Sequence, residues 1–277
     1  MTLLEARSVT VSYGGLHAND SIDLDCHAGS VVGLIGPNGA GKTTFIDALT
    51  GFTPLSEGRV LFDGVDLASK RPHQRARLGL TRTFQSLELF EDLNVRENLL
   101  VAAERPQWYS LLADAVRPRR HERRQVEAVE GAMHAMQLEP IAAAMPNDLS
   151  HGQRKLVSVA RAIAARPRLL LLDEPAAGLD TTESQLLGAR LRSCVNDEMG
   201  MFLIDHDMGL VLSVCDYLYV LDFGRIIAHG TPAEVRSNPA VIAAYLGTSD
   251  VPAPTDDVPA PTDDMPAPTD RGSDGGE

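Results

Sequence analysis

The chain has 277 residues, of which 44% are hydrophobic and 23% charged, and its formal net charge is −13. That length allows one large domain or two small ones. A net negative charge argues against general nucleic-acid binding, which needs a basic surface, so we expect no nucleic-acid partner. No apolar run reaches the roughly 18 residues that span a bilayer, and Glu5 and Arg7 interrupt the place of a signal peptide. We therefore expect a cytosolic protein.

The first 247 residues alternate short apolar strands with longer amphipathic segments. This pattern is typical of an α/β protein with a largely parallel sheet. The N-terminal strands alternate apolar and polar residues instead, which predicts an antiparallel edge and a mixed sheet overall. The predicted strands are 4–11, 21–24, 30–35, 169–172, 201–204 and 217–221.

Between residues 79 and 167 the sequence changes character and shows helical periodicity with few β-branched residues. The predicted helices are 95–104, 119–137 and 152–165, and we interpret about 86–165 as a helical subdomain inserted into the domain of residues 1–247. Within it, Trp108 and Tyr109 form either a docking surface for a partner or a small hydrophobic cluster.

Residues 248–277 contain the repeat DVPAPTD, DVPAPTD, DMPAPTD, and hold eight acidic residues against one arginine. Frequent proline forbids helix and central strand, and there is little apolar surface to bury. We predict a disordered acidic tail, either a solvated appendage or a docking segment. The three cysteines, Cys26, Cys194 and Cys215, have no CxxC spacing, so neither a disulfide framework nor a zinc site is indicated.

The segment GPNGAGKTT, residues 36–44, matches the phosphate-binding P-loop pattern and lies between a predicted buried strand and a helix. Its glycines let the backbone wrap a polyphosphate, and successive N–H groups and the helix N-terminus attract the anion. Lys42 is predicted to reach the β and γ phosphates of ATP, and the Thr43 hydroxyl to bind Mg²⁺. The candidate nucleotide-binding residues of the loop are Gly36, Asn38, Gly39, Gly41, Lys42, Thr43 and Thr44.

The segment RLLLLDEP, residues 168–175, supplies two carboxylates at the end of a buried strand. Asp173 is the predicted Mg²⁺ ligand, since a P-loop protein needs a carboxylate from a neighbouring strand. Glu174 is placed to polarise an attacking water, which predicts hydrolysis of the γ-phosphate rather than its transfer to a second substrate.

The segment LSHGQ, residues 149–153, resembles LSGGQ, the signature motif of ABC-type ATPases, which kinases and GTPases lack. Four further motifs follow the order of that family. Tyr13 resembles the aromatic residue that stacks on adenine, Gln85 the Q-loop glutamine, Asp180 of AGLD the D-loop aspartate, and His206 the switch histidine. His151 departs from the commonest signature, which has glycine there, and we do not expect this to abolish activity.

The resemblance implies two cassettes that meet head to tail, with ATP between the P-loop of one and the signature motif of the other. Ser150, Gly152 and Gln153 would then serve the nucleotide of the partner. Gln85 would contact Mg²⁺ and the attacking water, and His206 would contact the γ-phosphate. Asp180 would brace the interface.

Several stretches resemble the cassettes of branched-chain amino acid importers in particular, among them TRTFQSLELFEDLNVRENLLVA and NPAVIAAYLG. That resemblance implies a peripheral subunit on the inner face of the cell membrane, with two permeases, a second cassette and an extracytoplasmic solute-binding protein. Similar cassettes serve urea or short-amide import and lipopolysaccharide export, and a soluble ABC ATPase that remodels another molecule remains an alternative. A groove for a permease helix, or ordinary core packing, is predicted from Leu87, Leu89, Phe90 and Leu93.

Overall fold

The computed structural model describes residues 1–83, 89–104 and 118–246, and the expectations for Gln85, Leu87, Trp108, Tyr109 and the tail lie outside them. Ten strands are described, in chain order: β1 (Thr2–Tyr13), β2 (Leu16–His27), β3 (Val31–Ile35), β4 (Glu57–Phe62), β5 (Val65–Asp66), β6 (Leu80–Arg82), β7 (Leu169–Asp173), β8 (Gly200–Ile204), β9 (Tyr217–Asp222) and β10 (Arg225–Gly230). They form two sheets.

Nine α-helices are described: α1 (Lys42–Thr50), α2 (Pro72–Leu78), α3 (Val95–Ala103), α4 (Pro118–Ala135), α5 (His151–Ala164), α6 (Thr181–Cys194), α7 (Met208–Val214), α8 (Pro232–Arg236) and α9 (Pro239–Leu246). Short 3₁₀ turns cover Glu139–Ile141 and Pro146–Asp148. Within the described part of the chain, no helix is long and apolar enough to cross a membrane.

The larger sheet has the order β10-β9-β3-β8-β7-β6, and all neighbouring strands are parallel except β10 and β9. Every residue of β3, β7 and β8 is buried, as their unbroken apolar sequences predict. The carboxyl ends of these three strands lie at one edge of the sheet, which is where ligands bind in open α/β folds.

The smaller sheet is antiparallel, with the order β2-β1-β4-β5. Its strands β1 and β2 are 12 residues each, longer than the alternating pattern predicts. A hydrophobic cluster fills the space between the two sheets, and in it the rings of Phe45 from α1 and Phe202 from β8 meet edge to face at 6.4 Å. Helix α1 is therefore held between the sheets.

The helices α3, α4 and α5 pack on one another through buried residues that include Leu99, Val129, Met133 and Val157. Residues 80–82 form β6 and pair with β7 in the larger sheet, so the helical character predicted from residue 79 is wrong for these three residues. That strand is only three residues long and lacks an apolar run, so no periodic pattern marks it.

Candidate nucleotide site

The loop after β3 is shaped by glycines that no other residue could replace without rearrangement. Gly36 has a φ of 153°, and a Cβ there would lie 2.0 Å from the carbonyl oxygen of Leu221. Gly41 has a φ of 104°, and a Cβ there would lie 2.4 Å from the carbonyl oxygen of Ala18. Because β9 and β2 approach so closely on either side, the loop turns at both glycines without a side chain.

The N-terminus of α1 is left open to an anion. Gly41 is its N-cap and offers no side-chain cap to the first N–H groups, which are therefore available to a phosphate. Asn38, Gly39 and Thr43 of the same loop are exposed, and Thr44 is half-buried. This arrangement fits a polyphosphate.

The ammonium group of Lys42 lies inside the loop. Its Nζ donates to the carbonyl oxygens of Gly36 at 2.7 Å and Pro37 at 2.9 Å. Burial lowers the pKa of Lys42, and the negative charges of Glu174 and Asp173 oppose that shift. The predicted phosphate-binding lysine and the two predicted acidic residues are thus brought to one place.

Asp173 ends β7 and is almost fully buried. Its Oδ2 accepts a hydrogen bond of 2.7 Å from Nη2 of Arg82, and Nη1 of the same guanidinium pairs with Asp47 on α1. The Asp173 carboxylate and the Thr43 hydroxyl are oxygen donors of the kind that Mg²⁺ prefers, and Mg²⁺ bound with a nucleotide usually takes only one or two protein carboxylates. These residues therefore fit the metal.

Glu174 is held in an uncommon backbone conformation. Its φ is 48°, in the left-handed region that residues other than glycine rarely adopt, and its N–H donates to the carbonyl oxygen of Ile204 at 2.7 Å. Oε2 of Glu174 lies 4.0 Å from Nδ1 of His206. The side chain of Glu174 is mostly buried, whereas that of His206 is exposed, so the pair faces solvent on one side.

Asp205 fixes the two loops that carry Glu174 and His206. It is buried, and its carboxylate accepts hydrogen bonds of 3.0 Å from the N–H groups of Ala176 and Asp207. Burial raises the pKa of Asp205. A second support comes from α5, where the buried Lys155 donates from Nζ to the carbonyl oxygen of Glu174 at 3.3 Å. The helix that begins within the signature motif is thus tied to the backbone of Glu174.

The signature segment begins α5 with a capping box. Oγ of Ser150 accepts from the N–H of Gln153 at 3.2 Å, and Oε1 of Gln153 accepts from the N–H of Ser150 at 2.9 Å. Asp180 caps α6 in the same way, through the N–H of Glu183 at 2.8 Å. Both Ser150 and Asp180 are exposed.

The signature and D-loop segments lie against each other. A Cβ on Gly178 would be 3.2 Å from Nε2 of His151, and a Cβ on Gly152 would be 2.7 Å from Oε1 of Glu183. The His151 ring therefore covers the D-loop of its own chain. The histidine that replaces the usual glycine of the signature motif thus packs within its own chain.

Tyr13 lies at the end of β1 and is 55% exposed, with its hydroxyl 3.4 Å from Oγ1 of Thr53. Its ring has a free surface for a nucleobase. Of the apolar residues predicted to form a groove, Leu89 belongs to the buried core, whereas Phe90 is 47% exposed and Leu93 is half-buried. The guanidinium of Arg161 lies over the Phe90 ring, 5.0 Å from its centre.

Sequence reasoning missed Arg82, Lys155 and Asp205, although all three contact the predicted acidic residues or their loops. Asp205 lies in the segment FLIDHD beside His206, and an acidic residue at the end of a buried strand was a usable signal. Arg82 and Lys155 carried no such signal, because their partners are distant in sequence.

A parallel sheet with a glycine loop, a lysine and two acidic residues at its carboxyl edge defines a P-loop nucleotide hydrolase. The family model described as "ABC transporter" matches residues 19–177, and one described as "Branched-chain amino acid ATP-binding cassette transporter" matches residues 225–251. The chain belongs to the ABC transporter family, as the signature motif predicts, and it is an ABC-type ATPase.

Relatives and solved structures agree with this assignment. The chain is 41% identical over 251 residues to the high-affinity branched-chain amino acid transport ATP-binding protein BraF of Pseudomonas aeruginosa, with 88% of this chain and 98% of BraF covered. It is 39% identical over 253 residues to LivG of Escherichia coli, with 88% of this chain and 98% of LivG covered, and LivG has the same description. A crystal structure of the ADP conformation of an ABC transporter cassette matches with a TM-score of 0.75 and 31% identity, covering 89% and 99% of the two chains. The fold prediction is confirmed.

Proposed function

We propose that this chain is the ATP-hydrolysing subunit of an importer for branched-chain amino acids, docked on permeases at the inner face of the cell membrane. The match of residues 225–251 to the branched-chain cassette model carries this proposal, because that segment lies outside the general ABC match. BraF and LivG, which are described as branched-chain amino acid transport proteins, support it. The solute itself binds elsewhere in such a machine, so urea, short-amide or lipid systems remain the alternatives.

In this proposal the loop of residues 36–44 holds the phosphates of ATP. The open N-terminus of α1 and the Lys42 ammonium neutralise their charge, and Tyr13 stacks on the adenine. Bound Mg²⁺, held by Thr43 and Asp173 with Gln85, would neutralise charge that develops on the phosphate oxygens.

Glu174 accepts the proton of the attacking water, or orients that water towards the γ-phosphorus. Its left-handed backbone and its hydrogen bond to Ile204 aim the carboxylate at the edge of the sheet. His206, 4.0 Å from that carboxylate, is placed to contact the γ-phosphate and to hold Glu174 and the water in line. The two act as one unit.

A second cassette completes the site. Ser150, Gly152 and Gln153 lie at the start of α5, and Ser150 is exposed. The Ser150 hydroxyl, the N–H of Gly152 and the helix dipole would face the nucleotide of the partner, with the Gln153 side chain beside them. Asp180 would brace the same interface. Nucleotide binding closes the pair and hydrolysis reopens it, so a chemical step becomes a mechanical one.

The permeases would dock beside α3, where Phe90 exposes its ring and Leu93 is half-buried. Residues 1–247 form the ATPase unit of this proposal, with about 86–165 as its helical subdomain, and the acidic tail of residues 248–277 is an appendage to it. An extracytoplasmic solute-binding protein would complete the system.

The experiment is capture of the assembled complex. The tagged Glu174→Gln variant is solubilised from membranes with Mg-ATP, and co-purifying proteins are identified by mass spectrometry, with the Lys42→Ala variant as the control that cannot hold ATP. Two multi-span permeases and a second cassette are expected. Their solute-binding protein is then tested directly with leucine, urea and a short amide, and binding of leucine alone supports the proposed substrate. Recovery of soluble proteins alone would contradict the transporter and favour a remodelling ATPase.

A further inference from the structure

A buried arginine, three residues before the predicted Q-loop glutamine, holds the predicted metal ligand. Arg82 ends β6, and its side chain is 8% exposed. One of its terminal nitrogens lies 2.7 Å from Oδ2 of Asp173, and the other pairs with Asp47 on α1. Three elements that surround the phosphate loop are thus joined through one guanidinium.

The environment of this bridge is crowded with charge. Asp173 and Glu174 are both close enough to Lys42 to oppose the lowering of its pKa by burial. On the bridge itself, Asp47 and Asp173 carry two negative charges against the one positive charge of Arg82, and Glu174 lies near both Lys42 and Lys155. Without Arg82, phosphate groups entering the loop would meet a more negative site.

A guanidinium and a divalent cation compete for the Asp173 carboxylate, because carboxylate oxygens bind both. Arg82 occupies Oδ2 from the β6 side, so the carboxylate is already neutralised and oriented when no metal is bound. The N–H of Asp173 is also engaged, 3.4 Å from Oγ1 of Thr83, which further fixes the end of β7.

We propose that Arg82 is a positioning residue that pairs with the Asp173 carboxylate and competes with Mg²⁺ for it. It keeps the site receptive to the nucleotide when no metal is present, and it limits how strongly Asp173 draws the metal. Loss of Arg82 leaves the Asp173 carboxylate without its guanidinium partner beside the phosphates, which weakens binding of the metal-free nucleotide and makes binding more dependent on Mg²⁺. This inference rests on the proposed nucleotide site.

The test is ADP binding by isothermal titration calorimetry, once with excess EDTA and once with saturating Mg²⁺, so that hydrolysis plays no part. Arg82→Met is compared with the wild type, with Arg82→Lys as the charge-conserving variant. We expect the ratio of the metal-free Kd to the Mg²⁺ Kd to rise at least fivefold in Arg82→Met, and Arg82→Lys to restore most of the wild-type ratio. Thermal denaturation checks that each variant is folded.

Arg82→Met also leaves Asp47 without its partner, which could destabilise the fold. The double variant Asp47→Asn/Arg82→Met removes that unpaired charge, so the test can still be made if Arg82→Met misfolds. Asp47→Asn alone, which keeps the contact between Arg82 and Asp173, is its matched control. The double variant is expected to show the raised ratio and Asp47→Asn to stay within twofold of the wild type. Equal changes of both Kd values, or an unchanged ratio in folded Arg82 variants, would mean a purely structural role and would overturn the inference. Failure of the wild type to bind ADP with Mg²⁺ would instead contradict the proposed nucleotide site.

Discussion

Nδ1 of His206 lies 4.0 Å from Oε2 of Glu174, although the two residues come from the ends of different strands, β8 and β7. The buried Asp205 holds both loops through backbone N–H groups, so this separation is set by the fold rather than by the pair itself. A histidine and a glutamate at this distance can contact the same bound substrate, with the glutamate at the attacking water and the histidine at the γ-phosphate.

Replacing His206 should therefore slow hydrolysis without weakening nucleotide binding. In His206→Ala we expect the steady-state rate of ATP hydrolysis to fall about 100-fold, with the Kd for ADP unchanged. The double variant with Glu174→Gln should be no slower than Glu174→Gln alone, since residues that act as a unit are not additive. Additive losses in the double variant would show that the two residues act independently.

Arg75 on α2 is predicted to be a major contributor to stability. Its buried guanidinium donates to the carbonyl oxygens of Ala48 and Leu49 at the end of α1, both at 2.8 Å, and to those of Leu67 and Lys70 at 2.9 Å. Arg75→Met removes one donor from each of these carbonyl groups, of which only those of Ala48 and Leu67 also accept from a backbone N–H in the turns around them, and it should lower the free energy of unfolding by about 3 kcal/mol.

Urea denaturation monitored by circular dichroism measures this loss. The exposed Arg77 on the same helix supplies the matched control, and Arg77→Met should change the free energy of unfolding by less than about 0.5 kcal/mol. Similar losses in the two variants would show that the carbonyl contacts of Arg75 contribute little.

The cysteines should resist thiol reagents while the protein is folded. Burial raises the pKa of Cys194 to about 11 and that of Cys215 to about 12, and Cys26 is fully buried with its pKa raised as well. A thiol stays protonated at any pH below its pKa, and only the thiolate reacts with the reagent. Labelling at pH 8 should therefore be slow and should accelerate as the pH rises towards 11. Stoichiometric labelling of three thiols is expected only in denaturant. Rapid labelling of Cys215 in the native protein at pH 8 would contradict its buried position.

Phe90→Glu should separate membrane docking from catalysis. The exposed ring lies in the proposed permease groove, so a carboxylate there should abolish co-sedimentation with membranes that contain the permeases, while basal ATP hydrolysis stays within about twofold of the wild type. Ile242, exposed on α9, is the control position, and Ile242→Glu should remain membrane-bound. Retention of Phe90→Glu on the membrane would remove Phe90 from the docking surface.

The strands that carry the site were predictable because β3, β7 and β8 are continuous apolar runs, and the glycine loop follows directly from one of them. The Arg82 bridge was not, because its partners Asp47 and Asp173 are 35 and 91 residues away and no local pattern links them. Leu89 and Phe90 show a second limit of prediction from sequence, which is the burial of individual apolar residues. Both are apolar neighbours in sequence, and only the packing of α3 and α5 separates the buried residue from the exposed one.

The measurement that most directly tests the central claim is phosphate release from ATP by the purified wild type and by Glu174→Gln, each with Mg²⁺ and each shown to bind ATP. If Glu174 activates the attacking water at the edge of the parallel sheet, the wild type should release phosphate at least about 100 times faster than the variant, and chelating Mg²⁺ should stop the reaction. A wild type no faster than Glu174→Gln, with both folded and both binding ATP, would contradict the assignment of hydrolysis to this site.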